Sequence, residues 1–125
     1  MTCWTTAFTD TRAIKAIYGD ATPPLTDVDL HEVLLHRDGP AVSLRFDLST
    51  FPSSPPKKWA TCNTVQITIL AFDTSDVKIS GLSRNMSGDL LIEGNALSFT
   101  GGGASITLRA EHYLIQKVSA YSKAD

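Results

Sequence analysis

Long apolar runs are missing from this 125-residue chain: nothing in it approaches the roughly 18 consecutive apolar residues that a membrane-spanning helix requires. The opening MTCWTTAFTDTR also lacks a basic segment leading into an apolar one, the pattern of an export signal, so a cytoplasmic protein is expected. An excess of basic charge is missing as well. Lys and Arg total 11 against 13 Asp and Glu, a net charge of -2, whereas a dedicated nucleic-acid binder carries a basic stripe or face. Cysteine is scarce. Cys3 and Cys62 are the only two, a poor basis for a disulfide framework, and both are expected to remain thiols in a reducing compartment.

Familiar catalytic patterns are equally absent. No GxSxG elbow occurs, and no motif sets a base beside a nucleophile. Gly101, Gly102 and Gly103 are not followed by the lysine and hydroxyl residue of a phosphate-binding loop but by ASITLRA, a strand pattern, so they read as a flexible turn. The only histidines are His31, His36 and His112. Five residues apart on one strand, His31 and His36 alternate to opposite faces unless a bulge realigns them, and no third ligand stands at a zinc-site spacing. No metal and no cofactor is expected. Asp27, Asp29 and Glu32, or Asp73 with Asp76, could supply a carboxylate pair, but acids at strand ends and turns ordinarily serve solubility.

What is present is ordinary globular composition, 42% hydrophobic and 19% charged, in a length that suits one domain over residues 1–125. Thr9 or Asp10 can cap a short helix over residues 9 to 19 that Gly19 ends, with Ala13, Ile14, Ile17 and Tyr18 on its docking face. Residues 25 to 37 begin as an alternating strand and change phase near His31 and Glu32, as a bulge would cause, or as burial on both faces would. Asp38-Gly39 marks a hairpin, which Pro40 can lengthen. In residues 41 to 49, Val42, Leu44, Phe46 and Leu48 form an apolar face. Ser43, Arg45 and Asp47 form a polar one, read as solvated, where Arg45 and Asp47 can make a surface ion pair.

A proline-stiffened loop, TFPSSPPKKW, follows, with Phe51 and Trp59 as its natural braces. Residues 62 to 72 alternate again as a central strand. Asp73 to Asp76 read as a turn, followed by a short strand near Val77 and Ile79. Strands over 90–93 and 96–100 flank the hairpin dipeptide Gly94-Asn95. A strand over 104–110 and a last one over 113–121 complete the pattern, and residues 122–125 are expected to fray. The fold class expected is α+β, mainly an antiparallel β-sheet of about seven to eight strands with one short N-terminal helix packed on it.

The segments IYGD, PLTDVDLHEVLL, RDGPAVSLRFDLSTFP, PPKKW and NTVQITIL, in this order, resemble the immunity protein 50 family of bacterial polymorphic toxin systems. The match is good from Ile17 to Ile79 and looser beyond, through strand patterning and the ending VSAY. The resemblance implies a small cytoplasmic α+β protein that binds and neutralises a cognate protein toxin, with no catalytic residues. Arg45, Asp47, Trp59 and Asn63 fall within the matching motifs. Residues 25 to 50 are acidic and the following loop offers Lys57 and Lys58, an electrostatic address for a partner. Arg45, Asp47, Lys57, Lys58 and Trp59 are therefore the partner-binding candidates. Two rivals remain open: a small-ligand-binding or enzymatic β-rich domain, which would show an enclosed polar pocket, and a self-assembling module, which would show a free strand edge.

Overall fold

A computed structural model of the chain describes residues 4–124. Six antiparallel strands close into a barrel in the order β1-β2-β3-β6-β5-β4. They are β1 (Val28–His36), β2 (Ala41–Asp47), β3 (Thr64–Ser80), β4 (Ser87–Glu93), β5 (Ala96–Gly101) and β6 (Ala104–Tyr121), preceded by the helix α1 (Arg12–Tyr18). Single 3-10 turns cover Trp4–Ala7 and Lys57–Trp59. The closing seam pairs Val28 with Gly88 and Asp29 with Ser87. Backbone bonds from Leu90 N–H to the Leu25 carbonyl and from Leu30 N–H to the Met86 carbonyl, 2.9 and 3.0 Å, reinforce it.

Six strands stand where seven to eight were expected, because two pairs of segments are continuous. The stretch from Asp73 to Asp76 is not a turn. β3 runs through it for 17 residues, with Asp73 and Asp76 at φ 53° and a register shift against β6 between Ser75 and Lys78. A bulge absorbs the local irregularity by bending the strand, so polar residues that look like a break can stay in the ladder. In the same way β6 joins both C-terminal segments into 18 residues. Closure also removes the free edges that strand-to-strand assembly would use.

Alternation along these strands sends Val28, Leu44, Phe46, Val65, Ile67, Ile69, Leu97, Phe99 and Ile106 inward, where each is almost wholly buried. Packed apolar side chains therefore fill the interior where an enclosed polar pocket would have to lie. Helix α1 is shorter than the expected 9 to 19, Thr11 rather than Thr9 or Asp10 stands at its N-cap without a side-chain cap bond, and its expected docking face is buried only in part. Asp10 takes the Arg12 amide at 3.1 Å, Gly19 ends the helix at φ 63° with its N–H on the Lys15 carbonyl, and Ile14 and Tyr18 are buried while Ala13 stays exposed. The Tyr18 hydroxyl donates to the Thr50 carbonyl at 2.7 Å, fixing the helix to the loop after β2. Just before the helix, Trp4 meets Phe8 edge-on and donates its indole N–H to the Pro23 carbonyl at 2.8 Å.

The triple glycine makes a turn, as expected, and a tight one. Gly102 holds φ 61°, and a Cβ there would lie 1.8 Å from the Asn85 carbonyl oxygen, so only glycine lets β5 and β6 turn this close to the segment before β4. Cys62 is a half-buried free thiol, and Cys3 lies outside the described residues. No helix among the described residues is long and apolar enough to cross a membrane.

Candidate functional site

The outer face of the wall β1-β2-β3-β6 carries the polar chemistry. Cross-strand register places Asp29, Asp47, Gln66 and Ser119 in one row and Glu32, Arg45, Thr68 and Lys117 in the next. The register of β1 against β2 shifts between Leu30 and Glu32, so the phase change in the sequence is a bulge and not burial on both faces. The bulge inserts His31 as an extra residue between Leu30 and Glu32, and its imidazole reaches back over Asp47. It also puts His36 back on the outer face, opposite Ala41, but five residues of extended strand, about 16 Å, separate the two histidines.

Asp47 is the centre of this region. It points away from the barrel core, yet it is only 2% exposed. Gln66 donates its amide to Asp47 Oδ1 at 3.0 Å, and the Tyr121 hydroxyl donates to Oδ2 in a short hydrogen bond. His31 Nε2 lies 2.8 Å from Oδ2, and the Lys123 ammonium sits 3.3 Å from Asp47 Oδ2 and 2.9 Å from Asp29 Oδ2. The expectation of a solvated polar face is thus wrong at Asp47 and at Ser43, which is also buried. Nor do Arg45 and Asp47 form the expected surface ion pair. Arg45 donates to Gln66 Oε1 at 3.3 Å and lies 3.8 Å from Glu32, so Gln66 bridges the two.

Desolvation alone would raise the Asp47 carboxyl, but the hydrogen bonds from Tyr121, Gln66 and His31, with the charge of His31, outweigh it and hold it below the usual carboxylate range. Tyr121 is pushed up to about 12, first by desolvation and then by the Asp47 carboxylate its hydroxyl bonds. Lys123 is raised chiefly by its hydrogen bond to Asp29. The network therefore holds a carboxylate, a neutral phenol and an ammonium together at neutral pH. Asn63 completes it, accepting the Lys123 N–H at 2.8 Å and donating to the Lys123 carbonyl at 3.0 Å. These bonds hold Lys123, within the segment 122–125 that was expected to fray. An open groove of about 290 Å³, lined by Asp27, Asp29, Asp47, Ser49, Ser87 and Lys123 among others, runs beside the cluster.

Of the sequence candidates, Arg45 and Asp47 belong to this region and the other three do not. Lys57 and Lys58 are exposed on the 3-10 turn, whose Trp59 is 7% exposed and packs into the core, in keeping with its reading as a loop brace. Asp73 and Asp76 stand at the far end of β3. The sequence pattern does not single out Gln66, Tyr121 and Lys123. The one legible signal is the spacing Asp29-x-His31, two residues that share a face of an extended strand.

No curated protein and no solved structure matches the chain. A family model described as immunity protein 50 matches residues 10–121. That span takes in α1 and all six strands, including the last third where sequence resemblance is loosest. On this match the chain belongs to the immunity protein 50 family.

Proposed function

We propose that the protein is a cytoplasmic, non-enzymatic immunity protein that binds and neutralises a cognate toxin of a bacterial polymorphic toxin system. The observation that carries this reading is the family match across residues 10–121. A closed barrel with a filled apolar interior supports it, because an inhibitor that acts by occlusion needs a fixed surface and no internal site. For the binding surface we favour Arg45 with the exposed Lys57 and Lys58. Asp47 and Trp59, both buried, act from beneath: Asp47 through Gln66 on Arg45, and Trp59 by anchoring the turn that presents the lysines. The wall that carries Arg45 also exposes Leu34, Phe72 and Leu114, apolar area of the kind a protein interface buries.

The experiment is co-expression with the product of a toxin gene neighbouring the one that encodes this chain. Protection and co-purification of a stable complex are expected. Replacing Lys57→Glu together with Lys58→Glu should weaken both without lowering the melting temperature. A folded protein that neither binds nor protects against any neighbouring toxin would overturn the reading, and full protection by the double variant would remove the lysines from the surface.

A further inference from the structure

Going beyond toxin binding, we propose that Asp29, His31 and Asp47 form a site for a divalent first-row cation, zinc foremost, and that the Lys123 ammonium is the internal cation it displaces. The potential ligand atoms of the three side chains all lie within 4.8 Å of one another. His31 Nε2 is 2.8 Å from Asp47 Oδ2 and 3.5 Å from Asp29 Oδ2. Donors around a tetrahedral zinc, with bonds of about 2.0 to 2.2 Å, stand about 3.3 to 3.6 Å apart. Small side-chain rotations therefore bring the trio to coordinating positions without moving the backbone. One imidazole and two carboxylates make a borderline donor set that suits zinc or manganese better than it suits magnesium.

Three further features favour a built site over a chance meeting of acids. Asp47 is held on both oxygens, by Gln66 at Oδ1 and by the Tyr121 hydroxyl at Oδ2, so the side of Oδ2 that now faces His31 and Lys123 is the one offered to a cation, with the outer hydrogen bonds that metal carboxylates ordinarily have. A positive charge already stands between the two carboxylates, since the Lys123 ammonium bonds both. That ammonium is borne by a side chain 41% exposed, past the last residue of β6, so it can leave for solvent while Asn63 keeps hold of its backbone. The adjoining groove, with Ser49 and Ser87 on its walls, leaves room for a water as fourth ligand. On binding, the cation gains bonds to Asp29 Oδ2, His31 Nε2 and Asp47 Oδ2. His31 binds as the neutral tautomer, its one ring proton on Nδ1 and the Nε2 lone pair on the metal, and the Lys123 ammonium exchanges its two carboxylate partners for water.

Zinc and cobalt titrations of the full chain, by calorimetry and by cobalt absorption, test the proposal with the wild type and the variants Lys123→Met, His31→Gln and Asp29→Asn. All three replaced side chains are partly exposed, and melting curves verify that each variant folds; Asp47 is left intact because it also holds Gln66 and Tyr121, so its loss would disturb more than the ligand set. One cation per chain is expected, with the cobalt spectrum of a four- or five-coordinate site. Lys123→Met should tighten binding by about tenfold or more, and each ligand variant should weaken it by at least about tenfold, the scale of losing even an outer partner. Magnesium should not compete. Saturable binding in neither the wild type nor Lys123→Met at millimolar metal overturns the proposal, as does unchanged affinity in both His31→Gln and Asp29→Asn. A Lys123→Met variant no tighter than the wild type overturns the displacement.

Discussion

Phe46 and Asp47 are consecutive residues on opposite faces of β2, and both are cut off from water, Phe46 completely and Asp47 to 2% exposure. The means differ. Phe46 faces a barrel that closes on itself, so its burial follows from the fold as a whole and costs nothing in unpaired polar groups. Asp47 faces outward and is covered by His31, Gln66, Tyr121 and Lys123, each of which satisfies one of its oxygens as it covers it. Burial of the first kind holds the fold together. Burial of the second kind sets where a few polar atoms stand, since the gain of each charged hydrogen bond is largely offset by desolvation.

The largest effect should come from the inner member of the pair. Phe46→Ala leaves a cavity where the side chain had no exposure, and should cost about 3 to 5 kcal/mol, read as a drop in the denaturant midpoint with an unchanged slope. Asp47→Ala should cost less, about 1.5 to 3 kcal/mol, the worth of hydrogen bonds to a charged group, because its partners are partly exposed and can turn to water. Its particular signature is in pH. A carboxyl whose folded value lies below its unfolded value contributes stability that is complete above about pH 3.9 and is lost as pH falls through the folded value. The wild type should therefore lose stability in acid more steeply than Asp47→Ala, and parallel acid curves for the two would remove Asp47 from the balance.

The inner face of this comparison is open to sequence reasoning and the outer one is not. Val42, Leu44 and Phe46 announce an apolar face by alternation alone, and Val65, Ile67 and Ile69 repeat it, so the inward set of the barrel is legible in the order of the residues. Closure is not, because the β1–β4 seam joins residues 28 and 88, and nothing local marks such a pairing. The strand count misleads where Asp73 to Asp76 carry turn composition inside a continuous ladder. Asp47 misleads for a related reason. Its cover comes from residues 31, 66, 121 and 123, three strands and a tail that only the register brings together. The bulge is the exception: the phase change at His31 and Glu32 shows in the pattern of Val33, Leu34 and Leu35, although not where it sends the imidazole.

The smallest effect separates cover from attachment. Lys123 bonds both Asp29 and Asp47, but its side chain is 41% exposed and its backbone is held independently by Asn63. Lys123→Met should therefore change stability by no more than about 1 kcal/mol at neutral pH, the range of solvent-screened ion pairs. The consequence should lie at the alkaline end. Lys123 and Tyr121 both bind their protons more tightly in the folded protein, so their contribution is complete below their ordinary values near 10 and is lost as pH rises through the higher folded ones. In Lys123→Met the lysine's share is gone while Tyr121 and the buried Tyr18 and Tyr113 still titrate, so the alkaline loss of stability should become shallower, and the acid limb, to which Asp47 contributes, should keep its slope. An alkaline limb identical to the wild type would mean that the ammonium rests against the carboxylates without holding anything in place, and that His31, Gln66 and Tyr121 keep Asp47 where it is.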